Sequence, residues 1–241
     1  MMKLYYRYIF SKKIILVFIL INIIFIVSQI YSSGLMDGFT YMDMYRFDFQ
    51  EMFYSDFVLM VKIVSVTFNV FMVTLIFKDS CVNMSKYIVD KPIKKLVLIW
   101  AKLLIVFEIT FTVVFLLFEY FGIIHVFLTP YSYSLSEFVN LFLAVLLMNI
   151  SYVLISFFLM SLIASMLTIV LPILLFWYME LNVSITLIEE KSLAYIFYQY
   201  IPNISLNQGE YLLSNHFLNY LFFDIVLISL IVFLNIKKEI L

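Results

Sequence analysis

Four charged side chains lie inside stretches that are otherwise apolar: Lys62, Lys102, Glu108 and Asp224. A charge at membrane depth is expensive. It is usually paired or turned towards a cavity, and it marks ion paths, proton relays or ties between helices. Lys62 follows Phe57 by five residues, about 8 Å into its stretch at the helical rise. Asp224 follows Phe217 by seven residues, about 10 Å in. Their matching depth makes them either an interhelical pair or part of a polar path, and Asn69 adds an amide to the same group of candidates. Glu108 lies near the centre of its stretch with no basic residue at equal depth, so a proton, an amide or water must satisfy it. Lys102 is near the basic end of its stretch, from where a long side chain can snorkel.

Other chemistries find less support. With two histidines and one cysteine, Cys81, neither a compact Cys/His metal site nor an intrachain disulfide can be built. Glu189-Glu190 resembles the acidic pair of membrane abortive-infection proteases, but no histidine motif completes such a site. No Walker A sequence is present, and no basic-aromatic nucleic-acid module appears. The chain is expected not to be an enzyme and to carry no cofactor of its own.

The elements that position these residues follow from composition. Of 241 residues, 65% are hydrophobic and 13% charged, against about a quarter charged in soluble domains. A helix needs about 20 mostly apolar residues to cross the hydrocarbon core. Six stretches fit, near residues 14–31, 57–77, 96–118, 138–160, 162–179 and 217–235. The fourth and fifth come from one uncharged run, residues 138–179. As a single helix it would reach about 63 Å, roughly twice the core, so it must fold back, most simply near Ser161 to Ser165. Ser134 and Glu137 have capping-box spacing before the fourth stretch. Pro92 is placed to open the third, and Pro172 to kink the fifth. The first stretch follows a basic end, as in a signal peptide. Only Ser32-Ser33-Gly34 offers a weak cleavage site, so a retained helix is expected.

Lys and Arg near the ends of the stretches set the orientation. Lys3, Arg7, Lys12, Lys13, Lys78, Lys86, Lys91, Lys94, Lys95, Lys102, Lys237 and Lys238 fall on one side, and only Arg46 and Lys191 on the other. Both termini are then cytoplasmic, which requires an even number of crossings. The expected fold is an all-α polytopic membrane protein: a single transmembrane domain over residues 1–241 with six transmembrane helices. To these the sequence adds an N-terminal interfacial helix in residues 1–13 and an outer element in residues 192–202. That element is either re-entrant or an aromatic helix at the interface, with Tyr195, Phe197, Tyr198 and Tyr200.

This layout resembles the permease subunit of ABC-2 type bacterial ATP-binding cassette exporters. The likeness is closest over residues 77–104, FKDSCVNMSKYIVDKPIKKLVLIWAKLL. Lys78/Asp79, Lys91-Pro92-Ile93, Lys94/Lys95 and Lys102 resemble the family's charged residue, proline step and basic residues around the third span. YQYIPN, residues 198–203, resembles its outer proline-containing stretch. The glycine usual in the coupling region is absent from residues 79–91. The resemblance implies a coupling segment at 79–91, with Asp79, Met84, Lys86, Tyr87 and Lys91 against an ATPase. It further implies ATP and Mg on separate ABC ATPase subunits, a second permease subunit, and a place in the bacterial cytoplasmic membrane among its lipids. The function implied is export of an amphipathic peptide or hydrophobic cargo by alternating access. An ATP-independent secondary transporter and a non-transport immunity or scaffold protein are the alternatives.

Overall fold

A computed structural model describes residues 15–20, 23–24, 27, 61–75, 92–128, 135–163, 167–185, 197, 199–201 and 217–237. They are helical almost throughout. Residues 15–20, 23–24 and 27 are helical, and five longer helices follow: α1 (Val61–Leu75), α2 (Pro92–Leu128), α3 (Leu135–Leu162), α4 (Leu167–Ile185) and α5 (Phe217–Lys237). Where water is excluded, a helix satisfies its own backbone, so a long apolar run has few other options. Hydroxyls inside the runs follow the same rule. Thr110 donates to the Val106 carbonyl, Thr112 to Glu108, Ser161 to Phe157 and Ser229 to Ile225, each one turn back along its own helix. Pro92 takes the first helical position of α2, where its missing N–H is harmless. Pro172 sits within α4, which continues through it.

The expectation of six transmembrane helices is overturned. Among the described residues, three helices are long and apolar enough to cross a membrane: Leu96–Glu119 within α2, Val139–Leu162 within α3 and Phe217–Ile236 within α5. Val61–Leu75 and the Thr168–Glu180 part of α4 are shorter apolar helices. They reach about 22 and 20 Å, against a hydrocarbon core of about 30 Å. Hydropathy counts apolar residues along the chain and does not set the length of a helix, so stretches of similar composition give described helices of unequal length. The N-terminal segment 1–13 lies outside the described residues, as do Ser134 and the coupling segment 79–91 with Asp79, Met84, Lys86, Tyr87 and Lys91. The supported description is a helical protein able to cross a membrane more than once.

Helix α3 is the centre of the bundle. It packs against α2, α4 and α5, and α2 also touches α5. In the spanning windows, 61% of α3 is buried, 56% of α2, but only 22% of α5. α3 therefore has neighbours on nearly every side, while α5 leans on the bundle along one edge. The core joins Val66, Val70 and Val73 of α1, Leu103, Ile105, Val114 and Leu117 of α2, and Val145, Val153, Leu154 and Phe157 of α3.

Side-chain pairs fix the helix directions. The Thr168 hydroxyl meets Met160 Sδ, and the Phe176 ring meets Tyr152 edge-on at 5.6 Å. α3 and α4 are thus antiparallel. Phe142, near the start of α3, takes Phe118, Phe115 and Phe111 of α2 edge-on at 5.4–6.4 Å. α5 runs parallel to α3, because Ser151 meets Asp224 and Ser161 meets Asn235. Residues 197 and 199–200 are helical and lie beside α5. The Ile201 N–H donates to the Phe197 carbonyl, Ile201 is buried, and Tyr200 tilts against Phe223 at 6.4 Å.

Candidate functional site

The buried polar groups gather around one turn of α3. Asn149 is fully buried. Its Nδ2 donates to Ser65 Oγ of α1 and to the Val145 carbonyl of its own helix, both at 2.9 Å, and its Oδ1 accepts from Asn69 Nδ2 at 2.9 Å. Ser65 in turn donates to the Lys62 carbonyl at 3.3 Å. Two residues along, Ser151 Oγ donates to Asp224 Oδ1 of α5 at 2.9 Å and lies 3.3 Å from the Leu147 carbonyl. Tyr152 turns its ring to Phe176 of α4. Residues 149, 151 and 152 thus engage α1, α5 and α4 within one turn of helix.

Position along α1 explains the alignment. Lys62, Ser65 and Asn69 stand at i, i+3 and i+7, on one face of a helix, and all three are buried. At one end of that face Lys62 Nζ lies 2.7 Å from Glu180 Oε2 of α4. The two side chains are 6% and 11% exposed, so the pair is shielded from solvent and its attraction is strong, as is the penalty for separating it. Farther down α3, Asn235 Nδ2 of α5 donates to Ser161 Oγ at 2.9 Å and to the Ile231 carbonyl at 2.8 Å.

Lys62 therefore pairs with Glu180. The Lys62–Asp224 pair expected from matching depth does not form, because Asp224 is taken by Ser151 instead. Asn69 joins the same seam through Asn149. Glu108 sits on the exposed face of α2, where its carbonyl accepts from Thr112 one turn on. Lys102 is buried.

Sequence reasoning passed over Asn149, Ser65, Ser151, Ser161 and Asn235 because it ranked charges above neutral polar groups. An amide within an uncharged run was the available signal for Asn149. Glu180 stands directly after the uncharged run of residues 138–179, and its pairing puts it at nearly the same depth as Lys62.

Three buried acceptor or hydroxyl atoms in this region have no hydrogen-bond partner: Asn69 Oδ1, Glu180 Oε1 and Ser156 Oγ. Among the described residues no group of three His, Cys, Asp or Glu gathers to hold a metal ion. The hydrogen bonds of the seam and the Lys62–Glu180 ion pair set the register between helices and line their contact with polar atoms. No family model matches the chain, and no curated protein and no solved structure matches it.

Proposed function

We propose that the chain is a permease subunit of an ATP-driven exporter in the bacterial cytoplasmic membrane, of the ABC-2 type. The observation that carries this reading is the stretch at residues 77–104, where a basic, proline-containing segment joins an apolar helix to the long helix α2. A bundle held by a buried polar seam is compatible with helices that shift against each other during transport, since hydrogen bonds can be exchanged where packed apolar surfaces cannot. In this reading the chain hydrolyses nothing. A separate ABC ATPase binds ATP and Mg and pushes on residues 79–91, and a second permease subunit completes the passage. The cargo class proposed is an amphipathic peptide or a hydrophobic molecule.

The test is recovery of the ATPase. The full chain is purified from its native membranes in mild detergent, and the co-purifying proteins are identified. An ABC ATPase is expected, and its recovery should fall when Lys86→Glu and Lys91→Glu are combined. Purification of intact chain without any ATPase would refute the assignment and favour a transporter or scaffold that works without ATP.

A further inference from the structure

Two serines of α3 meet α5, and the two meetings are built alike except for the group that α5 presents. Ser161 donates to the Phe157 carbonyl one turn back at 2.9 Å and accepts from Asn235 Nδ2 at 2.9 Å. Thr110, Thr112 and Ser229 likewise give their hydrogen to the carbonyl four residues back. Ser151 has the corresponding carbonyl, that of Leu147, at 3.3 Å, and Asp224 Oδ1 of α5 at 2.9 Å. A hydroxyl has one hydrogen to give, and an ionised carboxylate has none. With Asp224 charged, the single Ser151 hydrogen must serve two acceptors. With a proton on Asp224, each contact has a hydrogen of its own: the carboxyl O–H goes to Ser151 Oγ and the Ser151 O–H to the Leu147 carbonyl. A separation of 2.9 Å suits either direction of donation.

The surroundings favour the neutral acid. Asp224 is buried, seven residues into the spanning stretch Phe217–Ile236. Among the described residues, Ser151 is its hydrogen-bond partner. The titratable groups on the elements around it are engaged or turned elsewhere. Tyr152 of α3 faces Phe176, Tyr200 tilts against Phe223, and Lys62 of α1 is held by Glu180 of α4. On α2, Lys102 is buried in the core, and Glu108 and Glu119 lie on exposed faces. Tyr220 is buried one turn back along α5. A carboxylate without a countercharge at this depth is expensive, and a neutral hydrogen-bonded acid costs far less. We propose that Asp224 is a proton-binding site, holding a proton that fastens α5 to Ser151 as the Asn235 amide fastens it to Ser161. The proton exchanges with water at the Phe217 end of α5, about 10 Å away at the helical rise. Its loss turns the Ser151 hydrogen from the Leu147 carbonyl to a carboxylate, and the charge left in the bundle loosens α5 at this point. The ligand is the proton itself, so the inference stands apart from the exporter reading.

The experiment is infrared spectroscopy of the full chain in lipid vesicles at about pH 6, where ordinary carboxyls are ionised. The C=O stretch of a protonated carboxyl is expected. Carbon-13 in the aspartate carboxyls should shift it, which separates it from any glutamate. Asp224→Asn should abolish the band, and Ser151→Ala should move it to higher wavenumber as the O–H loses its acceptor. Raising the pH should remove it from the unsubstituted chain. Over that same range, maleimide labelling of Leu227→Cys in a Cys81→Ser chain, taken relative to Phe222→Cys, should rise about threefold, the factor for one average intramembrane hydrogen bond. With Asp224→Asn added, the ratio should stay at its low value, because the amide donates to Ser151 at every pH. The absence of a label-sensitive band from the unsubstituted chain overturns the proposal, and this decides the matter even where the asparagine variant fails to insert. A band that survives Asp224→Asn overturns it too, as does a labelling ratio that stays constant while the band disappears.

Discussion

Lys62 and Glu180 show how much a single partner matters when water is excluded. Removing one member leaves the other charge buried, which costs about 3–5 kcal/mol, whereas replacing both by apolar groups of similar size is often neutral. Lys62→Met should therefore lower the unfolding stability in detergent by about 3–5 kcal/mol, and Lys62→Met with Glu180→Met should restore most of it. A double variant as unstable as the single one would show that the pair matters through something other than its charge. Asn149 is the second sensitive position, because one amide serves both Ser65 and Asn69. Asn149→Leu should cost about 1–2 kcal/mol, read by the same unfolding measurement. The polar residues of the seam were visible in the sequence as interruptions of apolar runs. Their partners were not, because depth along a helix is legible from spacing while the rotation of one helix against another is decided by packing. Lys62 shows the limit: both Asp224 and Glu180 stand near its depth, and only the fold selects Glu180.

At the scale of elements, α5 is the helix least held by packing. Two hydrogen bonds, Ser151 to Asp224 and Asn235 to Ser161, fasten it to α3 about 15 Å apart along the axis. Combining Ser151→Ala with Asn235→Leu should loosen it while leaving α3 seated among α2 and α4. The expected readout is maleimide labelling of Leu227→Cys in a Cys81→Ser chain, faster by about tenfold if each bond contributes near the typical membrane value. Labelling of Phe222→Cys, already exposed, should not change. The existence and type of these helices were legible in the sequence, since runs this apolar admit little else in a membrane. The number able to cross was not, because apolar composition does not set helix length: among the described residues Val61–Leu75 and Thr168–Glu180 are shorter apolar helices.

For the whole molecule, the decisive asymmetry is that a central helix is surrounded while the last helix stands at the edge. This arrangement has a consequence for biosynthesis. α3 emerges from the ribosome and enters the membrane before α5 exists, so the Ser151 and Ser161 hydroxyls first face lipid or a chaperone. These hydroxyls find their partners on α5 only when that helix arrives with Asp224 and Asn235. A chain cut before Phe217 should insert yet expose this unfinished side of α3, the kind of surface that membrane quality-control proteases act on. Its steady-state level should fall well below that of the full chain, and separately expressed residues 202–241 should raise it again, both read by immunoblot of isolated membranes. Equal abundance of truncated and full chains would mean that α3 is complete without its last neighbour. The edge position of α5 thus makes this helix a wall of the bundle and its arrival a step in completing the side of α3.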